Sequence, residues 1–173
     1  ANGAASVFDS KGGQHGTPIV SNAPGTVTNA APGKVGGSFD FGNIVSVPTS
    51  PAISLGTSNL SIDAWVASTQ PQLVIGIVDK LDIAAKKGYA FYVEHGSRNL
   101  KFVAGDGSAL TTYTSSGVVA AVTTLTWHHV AVTVDRASKV GTFYIDGAPA
   151  GAFMLATAPS VDISSSSALI LGG

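Results

Sequence analysis

Trp127-His128-His129-Val130-Ala131-Val132-Thr133-Val134-Asp135 alternates strictly between two kinds of residue. Strand side chains point to opposite faces with period two, so Val130, Val132 and Val134 share one face with His128, and Trp127, His129, Ala131 and Thr133 share the other. Three valines in register mark a core face. Downstream, Gly141-Thr142-Phe143-Tyr144-Ile145 runs into Asp146-Gly147 and then Ala148-Pro149-Ala150-Gly151. Asp-Gly supplies the positive φ angles of a two-residue type I′ turn, so the segment pairs back through a tight hairpin.

Working outward, a second hairpin is expected from Tyr89 to His95, through Gly96-Ser97-Arg98-Asn99, into Leu100 to Ala104. In its first strand Tyr89, Phe91, Val93 and His95 fall on one face, and Ala90, Tyr92 and Glu94 on the other. Further strands are expected at Ser38–Phe41, Ile44–Val47, Leu60–Ala67, Leu73–Val78, Val118–Ala121 and Ala168–Leu171. Leu60, Ile62, Ala64 and Val66 lie on one side of their strand, with Trp65 opposite. The best helical candidate, Leu81–Lys87, is one or two turns at most and stops at Gly88. Few gaps reach the dozen or more residues that a parallel crossover needs, so the pairing should be mostly antiparallel. The expected class is all-β, a two-sheet sandwich in one domain over 1–173. Residues 1–37, rich in Gly, Ala, Pro, Asn and Ser, form a loop-rich wrap with short ordered pieces at Ser6–Phe8 and Thr17–Val20.

Composition narrows the function. Charged residues make up 11% of the 173, against roughly 25% in an average domain. Nine Lys and Arg and a net charge of −1 give no electrostatic footprint for nucleic acid or an anionic membrane. With no cysteine, there is no disulfide framework and no thiolate chemistry. No apolar run approaches the roughly 20 residues that span a bilayer. The N-terminus has no basic start and long apolar stretch of a signal peptide. Glu94 is the only glutamate, so paired-carboxylate hydrolysis would have to draw on aspartates.

Taken in order, the segments resemble the laminin-G-like, concanavalin A-type jelly rolls, a group that includes pentraxins and many bacterial carbohydrate-binding modules. Asp9-Ser10-Lys11-Gly12-Gly13-Gln14-His15-Gly16-Thr17 resembles the first loop, and Pro32 to Gly42 the turn and strand after it. Leu60–Val66 resembles the strand ending in a tryptophan. Gly88–Phe91 resembles the glycine-led strand that follows a lysine-bearing loop, here Asp79-Lys80. Trp127–Thr133 followed by Phe143–Gly147 is the most specific landmark. The resemblance implies mostly core positions for Trp65 and Trp127, and structural roles for His128 and His129. It also implies a further strand at each end, lying side by side in one sheet. Without these terminal edge strands, neighbouring edges would stand open as templates for another chain. The expectation is therefore a fragment of a longer protein, or a homo-oligomer formed through exposed sheet edges.

For ligands, the resemblance implies an extracellular recognition domain, with a polysaccharide or other glycan as first choice. An extracellular protein partner or a spacer role is second, and a glycoside hydrolase last. Rings that stack on pyranose faces and planar polar groups that bind hydroxyls are available in Tyr89, Tyr92, Glu94, His95, Arg98 and Tyr113. Structural calcium, held by loop oxygens, would use Asp9, Asp40 and Asn43. Asp79 and Asp82 form a second acidic group, although Asp in Gly-rich loops is commonly a turn former. Asn59-Leu60-Ser61 matches a glycosylation sequon, a pattern common by chance. If calcium is structural, added calcium raises the melting temperature and a chelator lowers it, because a ligand of the folded state alone adds stability; a differential scanning fluorimetry titration checks this.

Overall fold

The structure is a computed structural model that describes residues 11–20, 31–34, 37–38, 43–68, 74–120 and 126–173. Its strands are β1 (Thr17–Val20), β2 (Ala31–Pro32), β3 (Gly37–Ser38), β4 (Asn43–Val47), β5 (Leu60–Val66), β6 (Ile75–Asp79) and β7 (Lys87–Val93). They continue as β8 (Asn99–Asp106), β9 (Leu110–Val118), β10 (His128–Asp135), β11 (Val140–Ile145), β12 (Ala148–Met154) and β13 (Leu169–Leu171). A seven-stranded sheet has the order β1-β4-β13-β6-β7-β8-β9, and a four-stranded sheet the order β12-β11-β10-β5. β2 and β3 form a separate ribbon. Every pairing is antiparallel. This is the two-sheet antiparallel sandwich that the alternating segments predict.

The core forms where the two inner faces meet. Val130, Val132 and Val134 of β10 are buried against Phe91, Val93, Leu100 and Phe102 of β7 and β8. An aromatic cluster ties the sheets together. Tyr113 of β9 stacks on Phe153 of β12 with ring centroids 4.3 Å apart. Phe153 also lies 5.9 Å from Phe102 and 5.1 Å from Phe143. Gly141 makes room for this ring, since a Cβ there would run into Phe153. Next to the cluster the edges β9 and β12 close one flank, with the Ser116 hydroxyl donating to Ala150 O at 3.1 Å.

The two hairpins fall where the turn chemistry puts them. Asp146 (φ 51°) and Gly147 (φ 80°) both take the left-handed conformation that a type I′ turn needs. Val93 pairs with Leu100 across the other hairpin. Three local expectations change. The predicted strand at Val118–Ala121 is instead the end of β9, which begins at Leu110; its Thr- and Ser-rich stretch buries only Tyr113 and Ser115 and carries little hydrophobic alternation. Leu81–Lys87 is a turn closed by a bridge between Asp82 and Lys87, not helix. Ser6–Phe8 and most of Ser38–Phe41 lie outside the described residues.

Three buried cations hold loops to the sandwich. Lys80, 1% exposed, donates to Thr49 Oγ1 at 3.0 Å and Ser167 O at 2.6 Å; burial pulls its pKa below the usual lysine value. Arg136 donates through Nη2 to Ala158 O and Val161 O at 3.1 and 2.6 Å. Buried Arg98 reaches Val119 O through Nε at 3.4 Å.

Truncating Phe153, which is partly buried against the core, to Ala should cost about 1–3 kcal/mol, less than a fully buried aromatic. Gly141→Ala should also destabilise, by overpacking the same ring. Urea unfolding midpoints of the two variants check both.

Candidate binding surfaces

The expected ligand residues do not converge. Tyr89 (6% exposed), Tyr113 (8%) and Arg98 (5%) face inward, which corrects their assignment to a ligand surface. Burial raises the Tyr89 phenol pKa, and the Tyr113 hydroxyl accepts the Ala156 amide at 2.7 Å. Both are core tyrosines because their positions share the strand face of Phe91 and Phe102. Tyr92, Glu94 and His95 remain on the outside, Tyr92 half-buried and His95 exposed at the hairpin tip.

Tyr92 borders a groove of about 390 Å³ on the outer face of the seven-stranded sheet. Val78, Ala90, Val103 and Ile170 line it, so it is mainly apolar. Glu94 accepts hydrogen bonds from the Ser97 hydroxyl at 2.5 Å and pairs with Lys101 at 3.1 Å. The Ser97 bond, then the Lys101 bond, lower its pKa. A carboxyl held ionised in this way is poorly suited to act as a general acid.

Asp9 and Asp40 lie outside the described residues, and the Asn43 side chain is likewise not described. Asp79 and Asp82 each accept a nearby backbone amide, Leu81 N at 2.8 Å and Ala85 N at 2.9 Å. Asp106 does the same, and its pKa falls to about 2 through the Ser108 hydroxyl and the Ala109 and Ser108 amides. These three are turn formers. Among the described residues, no group of three or more His, Asp or Glu is placed to hold a metal ion.

The outer face of the four-stranded sheet carries a second arrangement. Trp65 is 42% exposed, which corrects the core position implied for it; its strand alternates, and Leu60 and Val66 take the inward places. Register places Trp65 opposite His129 and Asp63 opposite Ala131. The Trp65 and His129 rings lie 5.3 Å apart, and His129 Nε2 contacts Asp63 Oδ2 at 3.2 Å. Lys34 Nζ sits 5.1 Å from the Trp65 ring centroid. Ala131 pairs on its other side with Tyr144. Further along, Ser61, Thr133 and Thr142 line a shallow cleft of about 340 Å³. His128 is separate from this face: its Nδ1–H donates to Asp146 Oδ2 at 2.7 Å, while Asp146 Oδ1 accepts the His129 amide at 2.9 Å. Both histidines therefore have hydrogen-bonding partners, brought to them by β5 and by the β11–β12 turn. Among the described residues, no helix is long and apolar enough to cross a membrane.

This antiparallel jelly roll presents an exposed ring, a carboxylate and a row of hydroxyls on the outer face of one sheet. The profile of the Concanavalin A-like lectin/glucanases superfamily matches residues 41–173, and the chain belongs to that family. A search of curated protein sequences returns no match. Among solved structures, the chain is similar to the CBM40 of the Ruminococcus gnavus IT-sialidase bound to alpha2,6 sialyllactose. The TM-score is 0.54 and the identity 13%, over 69% of this chain and 66% of that one. It is also similar to the binding domain of Botulinum neurotoxin DC in complex with rat synaptotagmin II. There the TM-score is 0.55 and the identity 13%, over 75% of this chain and 32% of that one. At such identities the likeness is one of fold.

The Asp146 carboxylate is held below its ordinary pKa, first by the His128 bond. The contact's stabilisation is thus full above the unfolded carboxylate pKa and is lost as pH falls through the lower folded value. Asp146→Ala, which also places alanine at positive φ, should cost about 1–3 kcal/mol. Asp146→Asn should cost less and flatten the acid limb of the stability curve. Thermal melts across acidic pH check the order.

Proposed function

We propose that the chain is a non-catalytic, extracellular recognition module that binds carbohydrate on the outer face of its four-stranded sheet. Exposed Trp65, set beside the Asp63–His129 pair, carries this reading. The indole offers a flat apolar surface for the C–H face of a pyranose. The carboxylate and imidazole beside it can accept and donate hydrogen bonds to ring hydroxyls. Few ligand sites need more than an apolar platform with a small number of placed polar groups. A structural neighbour whose bound ligand is a sialyllactose supports the choice of glycan at the level of fold.

The non-catalytic part is supported by the electrostatics of Glu94, the only glutamate. It is tied to Ser97 and Lys101 at a hairpin tip rather than set against a substrate cleft. Protein recognition is the second reading, favoured by the apolar groove beside Tyr92 on the opposite sheet.

A glycan array is expected to show binding that Trp65→Ala weakens about tenfold or more, the scale of a truncated aromatic anchor. Tyr92→Ala should leave it unchanged. Binding that depends on Tyr92 and ignores Trp65 would move the site to the groove.

A further inference from the structure

The same face extends well beyond Trp65, and its rows are set by strand register. Trp65 and His129 form the first row; Asp63, Ala131 and Tyr144 the second; Ser61, Thr133 and Thr142 the third. Successive rows lie about 7 Å apart, two residues along a strand. Ala131 is the smallest side chain in the second row, so it forms a floor between Asp63 on one side and Tyr144 on the other. That floor leads from the indole into the hydroxyl-lined cleft, which Asn59 and Ser138 continue. From Trp65 to Asn59 the track runs about 20 Å, the length of several sugar rings in an extended chain.

Resting on the carbohydrate reading, we infer that this track binds the interior of a linear, neutral glycan lying along β5 and β10, rather than capping a terminal sugar. Three observations support this. The ring platform and the hydroxyl cleft lie on one face but at opposite ends, so a single monosaccharide cannot touch both. The wall along β5 is open, because Ser61, Asp63 and Trp65 are exposed on that edge strand. Beyond the indole end, where the Lys34 ammonium sits over the ring, the charges on the track are the carboxylates Asp63 and Asp135, with Asp135 at the cleft. A glycan carrying its own carboxylates or sulfates would set like charges against them, which selects against it.

Lys34 bears on how the platform is entered. Its ammonium over the indole is an exposed cation–π contact, worth about 0.5–1 kcal/mol. So weak a contact yields readily to a ring that stacks over a larger area, and it keeps the indole face oriented in the free protein.

Isothermal titration calorimetry with cello-, laminari-, manno- and xylo-oligosaccharides as di-, tetra- and hexasaccharides tests the inference, with sialyllactose as the anionic comparator. In at least one neutral series, affinity should rise about tenfold or more from di- to hexasaccharide, and sialyllactose should not bind. Trp65→Ala should weaken binding at every length. Ser61→Arg, at an exposed position that blocks the cleft, should bring the hexasaccharide down to the disaccharide affinity and leave the disaccharide unaltered. Circular dichroism melts confirm that both variants fold. Affinity independent of length, or hexasaccharide binding unaffected by Ser61→Arg, overturns the extended track while the Trp65 site stands. Sialyllactose binding lost with Trp65→Ala overturns the neutral class and leaves carbohydrate recognition intact. Failure of every neutral series overturns the inference.

Discussion

The stacking of Phe153 against Tyr113, Phe102 and Phe143 is the contact on which the sandwich depends. Each sheet alone is a pleated layer with one apolar face, and neither is stable until that face is covered. The cluster draws two rings from the seven-stranded sheet and two from the four-stranded sheet. It also sets the edges β9 and β12 close enough for Ser116 to bond Ala150. The consequence for function is indirect but firm: with the inner faces committed to each other, whatever the domain recognises must meet the outer faces, the edges or the loops.

The long segments between strands need their own anchors, and a chain without cysteine cannot use disulfides. Lys80, Arg98 and Arg136 take that place. Each lays an apolar stem in the interior and donates to loop carbonyls or a hydroxyl, although Arg98 Nη1 and Arg136 Nε and Nη1 are buried without a partner among the described residues. Burying a cation is costly, and in Lys80 the cost is visible as a lowered pKa. The return is geometric: residues 158–167 are held to the sandwich from two sides, by Arg136 and by Lys80. Three of nine basic residues serve in this way, which further thins a surface already poor in positive charge.

Much of the fold was legible because strand alternation and turn chemistry are local. The valines of β10, the Asp146-Gly147 turn and the hairpin after Val93 needed no knowledge of partners. β9 was illegible for the opposite reason. Its hydroxyl-rich stretch does not alternate in hydrophobicity, and it becomes a strand because β8 offers it a ladder. The binding surface was read less well. Tyrosines attract attention as ligand groups, but Tyr89 and Tyr113 share a face with Phe91 and Phe102. That assignment depends on which face turns inward. Trp65 carried a usable signal, since it stands opposite Leu60, Ile62, Ala64 and Val66 in its own strand, and the family resemblance pointed the other way.

Residue order alone determined that this chain forms short antiparallel strands with one apolar face each, that it has one glutamate and no thiol, and where two tight hairpins fall. Those properties rest on period-two geometry, on backbone conformations available to Asp and Gly, and on counting. Only the tertiary structure decided which rings remain outside. Asp63 and Trp65 come from β5, far in sequence from the consecutive strands β10 and β11 that supply His129, Thr142 and Tyr144, and hydrogen-bonded register between the three brings them to one face. Register is a property of the pairing, not of any strand by itself, and so the surface it builds cannot be seen in one strand at a time.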